Sequence, residues 1–201
     1  ELIKYVDSDQ LTISTKVKLI LDHWINRGSK EIQGKSRGMI VVSSRKLCVK
    51  YWKEITKQLL ERDIKYGCLV GFSGEVSIDG EKFTELSCNS TIGHEGDVPL
   101  GLKNPKFRLL IVANKFQTGF DQPLLSTMFL DKSINGVNAI QTISRLNRKH
   151  KDKEQEDILV VDFTNNAQNI FDAFNKFLSI NILHRVCKGS KDSSFHFIKW
   201  K

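Results

Sequence analysis

Apolar residues recur along the chain with two kinds of spacing, one typical of helices and one typical of buried strands. The first helical spacing lies within residues 15–26, where four apolar residues fall at i, i+3, i+4 and i+7: Val17, Ile20, Leu21 and Trp24. Ser14 or Thr15 is placed to cap this helix, and Gly28 is placed to end it. Residues 1–14 show no clear period and are interpreted as a lead-in.

Five short apolar runs predict buried strands, beginning near residues 39, 68, 108, 126 and 158. Their continuous, β-branched character is typical of strands that are covered on both faces. Segments with the helical spacing lie between most of these predicted strands. One, ending near Arg62, places five residues on a single face: Cys48, Tyr51, Trp52, Ile55 and Leu59. Others lie at 138–149 and after Thr164. This alternation predicts a three-layer α/β fold around a parallel sheet.

Two stretches lack a clear period. Residues 75–106 contain scattered glycines and prolines and are predicted to be a long irregular loop, either a functional excursion or partly disordered. Within it His94, Glu95 and Asp97 resemble metal ligands when taken together, but ordinary polar loop residues explain them better, and no metal site is expected. Residues 149–157 are a run of charged residues of both signs and are predicted to be solvated.

Composition changes this picture only slightly. The net charge is +8, from 31 Lys and Arg against 23 Asp and Glu, and this excess is compatible with a polyanionic partner. The four cysteines form no C-x-x-C pair, so we expect reduced thiols of an intracellular protein. No apolar run approaches the roughly 20 residues that cross a bilayer. Because the chain begins at Glu1 without Met, we expect an excised fragment of a larger protein.

One near-match to a phosphate-binding P-loop is rejected. Gly28 and the segment Gly34-Lys35-Ser36 have five residues between the glycines, whereas the motif requires four. The segment also follows a helix and leads into a strand, which is the reverse of the P-loop order. A solvated basic loop over residues 28–38 is the better interpretation.

The polar loop after the strand near 108 carries the first candidate chemistry. Gly119 lets a backbone approach a ligand closely, Thr118 offers a hydroxyl to a phosphate, and Asp121 can accept a hydrogen bond from a ribose hydroxyl. The alternative is a glycine turn that Asp121 caps ahead of Pro123.

The helix predicted at 138–149 carries the second group of candidate functional residues. Gln141, Arg145 and Arg148 fall at i, i+4 and i+7, which is one face of a helix. Two arginines one turn apart repel each other unless an anion lies nearby, and in a phosphoryl-transfer site that anion is the γ-phosphate. The alternative is a solvated basic face. Ser43 and Ser44, between a strand and a helix, are placed either to cap the helix or to hold a phosphate.

Together these segments resemble the second RecA-like motor domain of superfamily 2 helicases and translocases. Ile40–Ser44 resembles motif IV, Thr118–Asp121 motif V, and Gln141–Arg148 motif VI, with Ser144 where many relatives carry glycine. Within the superfamily, the amino-acid sequence of residues 110–125 and 141–148 is most similar to that of the restriction (R) subunit of type I restriction-modification enzymes. Residues 72–75 and 161–163 are also similar to that family, and the resemblance covers about residues 35–170.

The resemblance implies a fold and a domain plan. The fold would be a RecA-like, P-loop NTPase-like parallel sheet, the C-terminal lobe of a helicase motor, spanning residues 15–165 after the lead-in. Residues 166–201 would begin a C-terminal helical region. The parent would be an ATP-dependent DNA translocase and endonuclease of the prokaryotic cytoplasm, working on double-stranded DNA with modification and specificity subunits.

The resemblance also implies residue roles. Arg145 and Arg148 would reach the γ-phosphate of ATP, and Gly119, Asp121 and Gln141 would contact the nucleotide. The DNA backbone would be contacted by Ser43, Ser44, Ser73 and Thr118. A P-loop, the Mg²⁺ ligands and the nuclease site would lie in a preceding lobe, so the isolated chain is expected to hydrolyse no ATP.

Three alternatives remain open at this stage. The chain could be the second motor lobe of another superfamily 2 DNA or RNA helicase. It could be a RecA-like module that binds nucleic acid or a partner protein without hydrolysis. It could also be a nucleotide-binding α/β domain unrelated to DNA, which salt-dependent DNA binding would distinguish.

Overall fold

A mixed sheet of seven strands forms the centre of the molecule. The computed structural model describes residues 10–116 and 120–164 and two short strands beyond them. The structure describes nine strands, of which all but β3 and β4 belong to this sheet. They are β1 Arg37–Val42, β2 Gly67–Gly71, β3 Glu75–Ile78, β4 Glu81–Thr84, β5 Phe107–Val112, β6 Leu125–Asp131, β7 Leu159–Asp162, β8 Arg185–Cys187 and β9 His196–Lys199. Their order in the main sheet is β2-β5-β1-β6-β7-β9-β8, and the first five are parallel. The predicted three-layer parallel α/β fold is therefore confirmed.

Helices cover both faces of this sheet. They are α1 Gln10–Asn26, α2 Glu31–Gly34, α3 Arg45–Glu61, α4 Glu85–Thr91, α5 Val98–Gly101 and α6 Gly136–Ile143. Short 3₁₀ turns follow or join them at Gly28–Lys30, Ser144–Asn147 and Gln155–Asp157. One core contains residues of α1 and α3 on one face of the sheet, and the other contains residues of α5 and α6 on the opposite face. All five predicted apolar residues of α3 are buried.

The first helix is longer than its apolar spacing predicted. It begins at Gln10, so Ser14 and Thr15 lie inside the helix and cannot cap it. Ile13, fully buried, extends the apolar face by one turn toward the N-terminus. Ser14 Oγ instead donates to Glu54 Oε1 at 2.8 Å and so joins α1 to α3.

The prediction of a solvated loop at 28–38 is wrong for several residues. Gly28, Ile32 and Ser36 are buried, and Ser36 Oγ donates to the Gly28 carbonyl. Gly28 is required because a Cβ there would lie 2.7 Å from the Trp24 ring. The segment therefore packs beneath α1 instead of extending into solvent.

The prediction of an irregular loop at 75–106 is also wrong. Strands β3 and β4 form a separate antiparallel hairpin, joined through Asp79 and Gly80, which both have positive φ. This Asp-Gly pair is the signature of a two-residue hairpin turn. Thr84 then caps α4 in a capping box with Ser87. Each of these elements is too short for its hydrophobic periodicity to be detected, although its turn and capping residues are present in the sequence.

The C-terminal prediction is corrected where the structure describes it. Strands β8 and β9 lie within the predicted helical region 166–201, and β9 pairs antiparallel with β7. The helix predicted after Thr164 lies outside the described residues. In the described part of the chain, no helix combines the length and apolar character needed to cross a bilayer.

Candidate functional site

A cavity of about 420 Å³ lies where β1, β2 and β5 end. Because these strands are parallel, the loops after them meet at one edge of the sheet, the position at which α/β proteins usually bind ligands. The structure brings together three of the four residues predicted to contact DNA, Ser43, Ser44 and Ser73, in the lining of this cavity. We call it the serine pocket. Thr118, the fourth residue, lies outside the described residues, as does Gly119.

Two cations also line the serine pocket. Arg45 Nη1 donates to the carbonyls of Ser73 and Glu75, each at 3.2 Å. Lys115 Nζ lies 2.8 Å from both carboxylate oxygens of Glu85. Protein acceptors therefore hold these cations in place. Since Ser hydroxyls and Arg or Lys cations are groups that contact phosphates, the pocket suits a nucleic-acid backbone.

Ser44 has the cap role that its position predicted. Its Oγ accepts a hydrogen bond from the backbone N–H of Leu47 at 3.2 Å, at the first turn of α3. The hydroxyl hydrogen of Ser44 remains a donor that a phosphate oxygen can accept. Ser43 is exposed and makes no cap contact with α3.

The two arginines lie in a second neighbourhood, which does not include the serine pocket. Arg145 Nη1 donates to the Phe120 carbonyl at 3.0 Å, and Arg148 Nε lies 3.3 Å from Asp121 Oδ1. Phe120 and Asp121 are the last two residues of the segment Thr118–Asp121, and Asp121 is itself one of the residues predicted to contact nucleotide. The structure therefore brings Phe120 and Asp121 together with the predicted arginines, as a group we call the arginine cluster. Gln141, also predicted to contact nucleotide, is exposed on α6.

The arginines do not share one α-helical face, so that part of the prediction is wrong. Helix α6 ends at Ile143, a 3₁₀ turn follows to Asn147, and Arg148 is extended, with φ −69° and ψ 129°. The tighter turn keeps Leu146 fully buried. It also releases Arg148 from the helix, which lets its guanidinium reach Asp121.

The charges of the arginine cluster influence one another. Burial lowers the pKa of Arg145, Arg148 lowers it further by repulsion, and Asp121 opposes both effects. In the Arg148–Asp121 pair the side chains are 47% and 69% exposed. Ion pairs this exposed contribute about 0–1 kcal/mol. An incoming phosphate can therefore replace the Asp121 carboxylate at low cost.

Lys153 is a residue that sequence reasoning missed, because it lies within the charge run predicted to be solvated. Its Nζ lies within hydrogen-bonding distance of four carbonyls, which share its three N–H donors. They are those of Leu146 (2.5 Å), Leu125 (2.6 Å), Pro123 (3.2 Å) and Arg148 (3.2 Å). Burial lowers its pKa to about 8 and Asp157 opposes that effect. The four carbonyls also favour the ammonium form, because they accept hydrogen bonds from it. Lys153 thereby joins the segment after Asp121 to the backbone that carries Arg148.

Among residues 10–116 and 120–164, no group of three or more His, Cys, Asp or Glu side chains is placed to hold a metal ion. His94 instead packs on Phe107, with ring centroids 5.5 Å apart, and its Nε2 lies 3.1 Å from the Asp97 carbonyl. The arginine cluster can therefore receive phosphate oxygens, but the described residues offer no Mg²⁺ ligand set.

Comparison with known proteins gives a consistent result. Residues 82–165 match the family model for type I restriction enzyme subunit R domain 3. The chain is 32% identical over 169 residues to the putative type I restriction enzyme MjaIXP endonuclease subunit of Methanocaldococcus jannaschii, covering 83% of this chain and 15% of that protein. It is 26% identical over 181 residues to the SauMRSORF196P endonuclease subunit of Staphylococcus aureus, covering 76% and 20%.

A third relative is the HindI endonuclease subunit of Haemophilus influenzae, which is 30% identical over 142 residues, covering 67% of this chain and 13% of that protein. The chain therefore spans only a fifth or less of the length of these relatives. The similarity therefore covers one domain of much longer proteins.

Proposed function

From the chain's membership of the type I restriction enzyme R-subunit family, we propose that it is the second lobe of an ATP-driven DNA motor. In this role the lobe supplies arginines to an ATP site whose P-loop and Mg²⁺ ligands lie in another lobe. It also holds the DNA backbone while the motor moves. The proposal extends to a parent endonuclease that acts with modification and specificity subunits.

The arginine cluster is the observation that carries the proposal. Arg145 and Arg148 are both held against residues 120–121, and the anion nearest to Arg148 is an exposed carboxylate. A site that receives a γ-phosphate needs guanidinium groups that are already in position and whose protein partner the phosphate can displace. This arrangement provides both. Asp121, once displaced, is free to accept a hydrogen bond from a nucleotide hydroxyl.

The serine pocket supports the DNA part of the proposal. Its hydroxyls and cations lie at the carboxyl ends of three strands, and contacts of this type carry no base information. A motor that moves along DNA benefits from such contacts, because it must bind every sequence equally. The match of residues 82–165 to the R-subunit family model favours the R subunit over another superfamily 2 helicase.

Substitutions of Ser44 separate its two roles. We expect Ser44→Asp to leave stability nearly unchanged, because aspartate caps helices as well as serine does, but to weaken DNA binding by placing a negative charge in the serine pocket. Ser44→Ala is expected to lower the free energy of unfolding by about 1 kcal/mol. Urea denaturation and salt titrations of duplex binding measure the two effects.

The matched control is Ser43→Ala, since Ser43 is exposed and makes no cap contact. It should leave the free energy of unfolding unchanged within about 0.5 kcal/mol. If Ser44→Asp binds duplex DNA as tightly as the unmodified chain at low salt, the serine pocket is not the DNA site.

The isolated chain tests the division of the ATP site. We expect purified chain of 201 residues to show no magnesium-dependent ATP hydrolysis. Hydrolysis that survives repurification and is lost in the Arg148→Ala variant would show that the chain holds a whole active site, contrary to the proposal.

A further inference from the structure

A second cavity, of about 470 Å³, lies at the opposite edge of the sheet, near the amino ends of β1, β2 and β5. Five of its lining residues are cationic: Lys35, Arg37, Lys65, Lys103 and Arg108. None of the described residues that line it is acidic, and it includes no residue of the serine pocket or the arginine cluster. We call it the basal pocket.

The two arginines are fixed by the backbone and by aromatic rings. Arg37, which is 3% exposed, donates through Nε to the Leu102 carbonyl at 2.9 Å and through Nη1 to the carbonyls of Lys35 and Ser36. The register of β5 against β2 shifts at Arg108, a bulge of the kind that re-aims a side chain.

Arg108 lies against aromatic and backbone groups on the other side of the pocket. Its guanidinium carbon is 5.1 Å from the Tyr66 ring centroid and 5.6 Å from that of Trp24. Its Nη2 donates to the Ser29 carbonyl at 2.5 Å. Burial lowers the pKa of Arg37 to about 10, and repulsion from Arg108 adds to that effect.

Each guanidinium keeps one terminal nitrogen for a ligand. In the part of the chain that the structure describes, Arg37 Nη2 and Arg108 Nη1 donate to no protein group, and no carboxylate pairs with either arginine. A buried cation beside a partly buried one, with no carboxylate, is costly, because carbonyls compensate only part of the lost hydration. An oxyanion between them would use both free nitrogens and remove the repulsion.

We propose that the basal pocket binds a small phosphorylated ligand, whose phosphoryl oxygens accept hydrogen bonds from Arg37 and Arg108. Guanidinium groups donate charge-assisted hydrogen bonds to phosphate oxygens, and here each arginine would use its one free terminal nitrogen. The exposed lysines at the entrance add positive charge, and Lys103 is the one of these that pairs with no described carboxylate. The cavity volume lies within the range of small-molecule sites.

Depth favours a small ligand over a nucleic-acid backbone. Arg37 is almost fully buried, so a phosphate in a continuous duplex would have to leave the surface of its helix to reach it. A free phosphate or pyrophosphate has no such constraint. The inference stands apart from the proposed ATP and DNA sites and does not depend on them.

Inorganic pyrophosphate is the probe that tests this inference. We expect saturable one-to-one binding to the 201-residue chain by calorimetry at constant ionic strength. In ¹⁵N-labelled chain, the Nε–Hε signals of Arg37 and Arg108 should shift with the same dissociation constant. Lys103→Glu should weaken the affinity about tenfold, because it reverses a charge at the pocket entrance without touching either arginine.

Lys18→Glu is the matched control, since Lys18 is an exposed lysine of α1 outside the pocket. It should leave the affinity unchanged. Equal weakening by Lys18→Glu and Lys103→Glu, or no saturable binding at pyrophosphate concentrations on the order of millimolar, would overturn the inference. A short DNA duplex that displaces pyrophosphate from the unmodified chain but not from Lys103→Glu would overturn the small-ligand assignment in favour of nucleic acid.

Discussion

Replacing Arg148 by alanine in a complete R subunit that carries this domain is expected to lower ATP turnover by about 10³–10⁵-fold. The reason is that the guanidinium would stabilise charge that develops on the γ-phosphate only in the transition state. ATP affinity should fall much less, so the loss should appear in kcat and kcat/KM together. Steady-state ATPase assays, with nucleotide binding measured separately, distinguish these quantities.

Two further variants sharpen this result. Arg148→Lys keeps the charge but loses the planar fork, so it should recover only a small part of the lost turnover. Lys151→Ala, an exposed cation near the same segment, serves as the control and should leave kcat unchanged. If Arg148→Ala retains the full kcat, the transition-state role is removed and the arginine is a structural partner of Asp121 alone.

Replacing Lys153 by methionine is expected to lower the free energy of unfolding by roughly 2–3 kcal/mol. Methionine keeps the aliphatic volume but removes the ammonium group that now serves four carbonyls. These oxygens lose a charged donor, and the part of this loss that water cannot replace destabilises the fold. Part of this destabilisation is offset, because the methionine variant no longer bears the cost of burying a charge. Urea unfolding of the 201-residue chain measures the difference.

The same substitution at an exposed lysine of the same charge run, Lys151→Met, should change stability by no more than about 0.5 kcal/mol. In the complete subunit Lys153→Met should also reduce ATP turnover, because Leu146 and Arg148 are two of its four backbone partners. A stability change equal to that of Lys151→Met would mean that water replaces the ammonium at all four carbonyls.

The central sheet could be predicted from sequence because its signals are local and strong. Each of the five parallel strands contains a short apolar run, and the buried face of α3 follows the 3.6-residue period. The family resemblance, based on residues 110–125 and 141–148, is confirmed by relatives that share most of the chain. Some of the errors lie in short elements. Strands β3 and β4 and helix α5 are each four residues long, below the length at which periodicity is detectable.

The candidate site was predictable in composition but not in arrangement. The position of Ser43 and Ser44 after a strand identified these two residues, the family resemblance added Ser73, and the structure places all three in one pocket. The change from α-helix to 3₁₀ turn at Ser144 was not predictable, because it depends on tertiary contacts of Leu146 and Lys153. A solvated lysine and a buried lysine look identical in a mixed charge run. The roles of the serines, the arginines and Asp121 stay predictions.

The order of strands in the sheet has a consequence for how the protein is made. Strand β1 is buried along all six residues, yet its neighbours β5 and β6 begin only at Phe107 and Leu125. A ribosome that adds roughly 5–20 residues per second leaves β1 without a sheet partner for several seconds after it emerges. During that time α1 and α3 are the segments available to shield it. Nascent chains stalled before Phe107 should therefore bind holdase chaperones, and chains extended past Asp131 should release them.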